Sequence, residues 1–232
     1  MGLSRHALKW VDGSRNTRRM RLQEVSRWAH LECSPSNPFK DTAGLPFRPF
    51  RFRRNLVENV VWDPVRSTRF RAFDYWFMDP GNDHVVQRPR RLTCAIAPIP
   101  TIAPRLRVSP RKGSNRMDSI GMPEVKLTAE EFNELFMVEA EDVRFAIELL
   151  QRGIMAALIA LPDGVELSAS QDVLMLSAPL LPPQQVVLLF DAVIAIAARV
   201  PKGISTEHNV YLETALATWT PIGSTPAPAE KT

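Results

Sequence analysis

The chain has 232 residues, 45% of them apolar and 23% charged, the ordinary range for a globular protein with a core of one or two domains. Twenty prolines against ten glycines argue against an all-helical fold, and two cysteines in unrelated contexts argue against a secreted, disulfide-built one. The charge is split along the chain: residues 1–116 hold 23 Lys and Arg against 9 Asp and Glu, residues 117–232 hold 6 against 16, and the formal total is +4. Either the two parts neutralise each other within the molecule, or the basic part docks on an anionic partner.

In chain order, residues 1–33 read as a basic helical segment. Leu22, Val25 and Trp28 fall at helical spacing, and Asp12-Gly13-Ser14 is expected to break the segment in two. No continuous apolar stretch of signal-peptide type is present near the start. Residues 34–203 read as the α+β domain, with two halves meeting near 109–123 as an option. Residues 47–54, FRPFRFRR, alternate Phe and Arg as a half-buried strand does, with Pro49 marking an edge or a start. Asn59 to Trp62 form a second strand and Asp63-Pro64 a turn. Residues 68–78, TRFRAFDYWFM, form the aromatic central strand of a meander. Residues 79–83 are a turn beside His84, and Leu92, Cys94 and Ile96 belong to the returning strand. Pro98, Pro100 and Pro104 are expected to end that strand, leaving Leu106-Arg107-Val108 as a short edge strand.

Residues 131–139 fit strand or irregular structure equally. Asp142 is placed to cap a helix running to about residue 160, stopped by Pro162-Asp163-Gly164. Residues 165–177 read as a hairpin turning at Ser170-Gln171-Asp172, and Pro182-Pro183 open a last helix closed by Pro201 and Gly203. Its apolar run, residues 186–200, is fifteen long and interrupted by Asp191, short of the ~20 residues that cross a bilayer. Residues 204–232 read as a largely disordered tail. The fold class is therefore α+β: an antiparallel sheet of five or more strands, two packed helices in the carboxy-terminal half and a helix at the amino terminus.

Chemistry is sparse. His6, His30, His84 and His208 are scattered, no C-x-x-C or H-E-x-x-H occurs, and neither nucleotide-binding glycine motif is present, so neither a metal nor a cofactor is expected. Cys33 and Cys94 read as reduced small hydrophobes. Asp74, inside the aromatic strand, is the one candidate for a catalytic acid, and its bland alternative is a bond to an arginine or a backbone amide. Asp191 reads as a polar contact with Arg144 or Arg152.

The basic strands carry the main site expectation. Arg51, Arg53, Arg54, Arg69 and Arg71 alternate with Phe50, Phe52, Phe70 and Phe73, which turns the phenylalanines to the core and leaves a basic face without stacking platforms. Such a face suits an acidic protein or an anionic membrane surface better than nucleic acid. The expected function is a non-enzymatic, cytoplasmic interaction or adaptor module, peripheral to a membrane in one variant, with a nucleic-acid-binding protein or an enzyme using Asp74 as alternatives.

LQEVSRWAHLE, PFRFRRNLVENVVWD, RFRAFDYWFMD, AEEFNELFMVEAEDVRFAIELL and the closing ARVPKG together resemble a family of uncharacterised actinobacterial proteins over residues 20–203. The resemblance implies no established activity. It implies a membrane-spanning helix near the amino terminus, and here this sequence departs, having a basic amphipathic segment there.

Overall fold

The computed structural model describes residues 5–39, 45–51, 55–79, 88–112, 122–150 and 153–200. Among these residues, five helices and a seven-stranded antiparallel sheet make an α+β fold. The strands are β1 (Glu32–Ser36), β2 (Asn55–Trp62), β3 (Arg71–Asp79), β4 (Arg88–Pro110), β5 (Glu124–Val125), β6 (Phe136–Ala140) and β7 (Glu166–Pro179), and the helices are α1 (Arg5–Trp28), α2 (Glu130–Leu135), α3 (Val143–Leu150), α4 (Ile154–Ile159) and α5 (Pro183–Ala197). The sheet order is β1-β2-β3-β4-β6-β5, and β7 pairs with β4 as well. The single sheet runs across the 109–123 crossing, because β4 pairs with strands from both sides of it.

Alternation in β3 explains the two cores. Phe73, Tyr75 and Phe77 point to one face, where they meet Phe47, Phe50, Val57, Cys94, Ile96 and Met175. Ala72 and Asp74 point to the other, where α1, α3, α4 and α5 pack on Ala95, Ala97, Leu167, Leu174 and Leu176 through Leu22, Phe145, Leu149, Ile154, Leu189 and Phe190. Each fully buried Leu or Phe of this layer contributes roughly 1.5–3 kcal/mol.

Several sequence expectations give way to longer or tighter elements. The described part of the 47–54 stretch, residues 47–51, is not a strand. Arg48–Arg51 form a short 3-10 turn, whose three-residue repeat brings Phe47 and Phe50 to the same side, into the aromatic core. Pro49, with no N–H to donate, fits the first turn of such a helix. Residues 68–70 are a turn, so Arg69 precedes β3. Pro98, Pro100 and Pro104 do not interrupt β4. They fall beside register shifts between Pro98 and Leu106, where β4 passes β7 without regular pairing. Leu106, Arg107 and Val108 are interior, flanked by β6 and β7.

Residues 165–177 are not a hairpin but part of one strand. Gln171, with φ of 54°, sits at the irregularity opposite Ala103, which is why its polar neighbours look like a turn. The 142–160 region holds two helices. Asp142 caps the first by accepting from the N–H groups of Arg144 (2.8 Å) and Phe145 (3.1 Å), and Gly153 at φ 77° opens the second. α1 is unbroken through Asp12-Gly13-Ser14, since a single helical glycine costs only about 1 kcal/mol relative to alanine. Residues 131–139 divide into the end of α2 and the start of β6. No described helix is long and apolar enough to cross a membrane. The 80–87 stretch, residues 52–54 and the 204–232 tail lie outside the described residues.

Candidate functional site

The described members of the expected basic strand face do not share a face. Arg71 is 3% exposed and packed on the aromatic side, its guanidinium 5.5 Å from the Phe39 ring and donating to Thr68 O at 2.9 Å. Arg69, in the turn, pairs with Asp172 at the bulged middle of β7. Arg51 is exposed on the 3-10 turn, and Arg53 and Arg54 lie outside the described residues. Phe50 and Phe73 are buried in the aromatic core, Phe70 is half-buried against the helix-side cluster, and Phe52 lies outside the described residues.

Part of the charge split is neutralised at the sheet. Arg69 pairs with Asp172, Arg105 with Glu141 at 2.6 Å, Arg111 with Glu124 at 2.7 Å, and Arg107 with Glu166 at 3.0 Å and Glu139 at 3.7 Å. Each pair joins the basic first half to the acidic second half. The cause is topological: β4, from the first half, lies between β6 and β7 from the second, so Arg107 stands directly opposite Glu139. Arg105 holds the Glu141 carboxyl below its ordinary value: burial pushes that group up, but hydrogen bonds from the Arg105 backbone and guanidinium outweigh it. Glu124 is likewise lowered, by hydrogen bonds from Lys126 and Arg111.

Asp74 is the polar centre of the helix-side layer. Its Oδ2 accepts from Arg18 Nε at 2.7 Å and Asn59 Nδ2 at 2.8 Å, and its Oδ1 from Arg18 Nη2 at 2.7 Å and Thr93 Oγ1 at 3.3 Å. Arg18 also donates from Nη1 to Leu181 O at 2.6 Å, and Leu181 N–H donates to Thr93 Oγ1 at 3.0 Å. The ring of bonds ties α1, β3, β4 and the loop before α5 together. Asn59 enters it through a bulge: its φ of 55°, tolerated by Asn, lies within the register shift between Glu58 and Val61. A carboxylate engaged on both oxygens by a fork of guanidinium donors is a structural tie, the bond to an arginine that the sequence offered as the bland alternative for Asp74. Sequence reasoning missed Arg18. Its only signal was the i, i+4, i+8 stripe of Arg18, Leu22 and Ser26, of which Leu22 and Ser26 are fully buried.

Beside this ring, a cleft of about 30 Å³ opens between α1 and the helix-side ends of β2–β4. Arg15, Arg91, Glu58, Asn59 and Trp76 line it together with the Arg18–Asp74 pair. Asn59 is 5% exposed and its Oδ1 has no hydrogen-bond partner, nor has the buried Nε of Arg15.

Asp191 is not buried as expected, and Arg152, one of its two expected partners, lies outside the described residues. It is exposed on α5, with its carboxyl raised by desolvation and partly offset by the charge of Arg66. Cys94 is buried and Cys33 half-buried, and both are free thiols. Among the described residues no three His, Cys, Asp or Glu side chains gather around one point as a metal site requires.

No protein-family model matches the chain, and no curated protein matches it. Among solved structures it is similar to the mycobacterial trehalose monomycolate transport factor A, with a TM-score of 0.45 and 11% identity, over 78% of this chain and 90% of that one, a likeness too distant to say what this protein does.

Proposed function

We propose that this protein is a non-enzymatic, cytoplasmic interaction module that docks on an acidic protein partner through the arginines of α1. The observation that supports this reading is the residue left by internal pairing. Arg69, Arg105, Arg107 and Arg111 are engaged by second-half carboxylates, whereas Arg21 and Arg27 on α1 are exposed and have no ion pair among the described residues. Met20 and Trp28, 69% and 81% exposed, add apolar contact area to the same outer surface. Exposed guanidiniums beside an exposed indole are the composition enriched at interface hot spots. Asp74 contributes by anchoring α1, not by chemistry.

The test is a salt titration of the purified protein against labelled poly-glutamate, RNA and anionic liposomes in parallel. Binding to poly-glutamate that weakens with salt, and is lost in the R21E/R27E double variant, is expected. Stronger binding to RNA with a steep salt slope would replace this reading with nucleic-acid recognition. Preference for liposomes would replace the partner with a membrane surface.

A further inference from the structure

We propose that the cleft between α1 and the ends of β2–β4 is a seat for one phosphate group, held by Arg15 and Arg91. Both arginines line it half-buried, and neither has an ion pair among the described residues. The Arg15 Nε–H is a buried donor without an acceptor. Guanidinium groups at that position are matched by an oxyanion, for which arginine has a fork of donors.

The opposite requirement comes from Asn59. Its amide nitrogen is spent on Asp74, so its flip is fixed, and Oδ1 is left as a buried acceptor without a donor. A group seated in the cleft that also reaches Asn59 accepts from the two arginines and donates one hydrogen bond to Oδ1. A monoprotonated phosphate does both, since it carries P–OH as well as anionic oxygens. Sulfate and carboxylate are fully deprotonated near neutral pH and offer no donor. At about 30 Å³ the interior admits the end of one such group and no more.

Two carboxylates also line the cleft. Asp74 is neutralised by Arg18. Glu58, opposite Asp74 on β2, has no ion pair among the described residues and opposes an incoming anion. Two guanidiniums against one free carboxylate leave an attraction, and removing Glu58 should strengthen it.

The inference stands apart from the acidic-partner reading, and the two fail separately. Poly-glutamate binding without phosphate binding removes only the seat; phosphate binding without poly-glutamate binding removes only the docking surface. The experiment titrates the full chain with inorganic phosphate and with sulfate at constant ionic strength, near pH 6.5, reading heat of binding and thermal midpoint. Phosphate is expected to bind more tightly than sulfate. R15Q and R91Q should each weaken it by about tenfold or more, the worth of one charged hydrogen bond. E58Q should tighten it, and R144Q, exposed on α3 and outside the cleft, should leave it unchanged. Circular dichroism on each variant checks folding, and E58Q retains both arginines and so keeps the test informative if R15Q unfolds. Equal effects of phosphate and sulfate, no binding, or indifference to R91Q and E58Q would overturn the proposal.

Discussion

Arg18 of α1 and Asp74 of β3, 56 positions apart, meet through two hydrogen bonds of 2.7 Å each, with the Asp74 side chain 5% and the Arg18 side chain 16% exposed. The pair closes the helix layer over the sheet, because Arg18 also holds the Leu181 carbonyl just before α5. Breaking a buried pair from one side strands the other charge, at a cost of about 3–5 kcal/mol. Arg18→Met should therefore lower the urea midpoint strongly. Replacing both partners, as R18M/D74L, should cost less than the sum of the single changes, although Asn59 and Thr93 then each lose an acceptor. A D74N variant that retained wild-type stability would show that the ring of bonds does not form in solution.

The pairs that join the two halves of the chain differ in depth, and so in worth. Arg107, with a side chain 6% exposed, faces Glu139 at 8% and Glu166 at 26%. Arg107→Met leaves Glu139 buried without its cation and should cost about 3 kcal/mol or more. Arg105 and Glu141, at 53% and 41%, are exposed, and Arg105→Gln should cost under about 1 kcal/mol. Equal costs for the two variants, by chemical denaturation, would show that burial does not rank these pairs.

Acid should weaken the fold through Glu124 and Glu141. Both carboxyls titrate lower in the folded protein than in the unfolded chain, so the unfolded state binds protons first as pH falls. The stabilisation is complete above the unfolded carboxylate range, near pH 4.5 and higher, and is lost as pH drops through the folded values. Unfolding free energies measured from pH 6 to 3 should show a shallower decline in E124Q/E141Q than in the wild type. The difference should be small, because both groups are substantially exposed.

Much of this architecture is legible locally, and the exceptions have a common cause. The alternation of Phe73, Tyr75 and Phe77 marks β3, Asp142 marks the start of α3, and Pro183 marks that of α5, since each is a short-range preference of backbone or side chain. What misleads is an irregularity inside a long strand. Gln171 in a left-handed conformation within β7 carries the same residues as a hairpin turn, and the choice is made by β4 pairing on both sides of it. The same holds for FRPFRFRR, whose alternation is compatible with a strand until Phe47 and Phe50 are drawn together by the aromatic core. The Arg18–Asp74 tie was out of reach for another reason: Arg15, Arg18, Arg19 and Arg21 look alike on a basic helix, and only the inward stripe with Leu22 singles one out. The cross-half pairing of charges could be weighed from composition, but its residues follow from sheet order.

Cysteine reactivity reports on the packing of both faces of the sheet. Cys94 is fully buried in the aromatic core, and burial pushes its thiol far above the ordinary range, with the Asp74 charge adding to the rise. Cys33, half-buried in β1, is raised less: burial pushes it up and the Asp74 charge adds to that, while the nearby Ser26 hydroxyl and the charge of Arg19 pull it down. Reaction requires the thiolate, so both should be slow, Cys33 measurable and Cys94 silent until unfolding. Timed alkylation with mass spectrometry, in native buffer and in denaturant, distinguishes the two. Rapid labelling of Cys94 in native buffer would mean that the aromatic layer over β3 and β4 opens readily.

Gly153 gives the last and most local prediction. Its φ of 77° opens α4 directly after α3, and a Cβ built there meets nothing within 4 Å, so space does not restrict the position. Backbone conformation does, because an L residue in the left-handed region carries a penalty of roughly 1–2 kcal/mol. Gly153→Ala should lose about that much stability, and Gly153→Asn less, since Asn visits this region more readily. Thermal or denaturant unfolding of the three proteins decides it. If alanine were neutral, the helix would be continuing through residue 153 in solution. An order of Gly, Asn, Ala in falling stability would tie the break between the two helices to the dihedral alone.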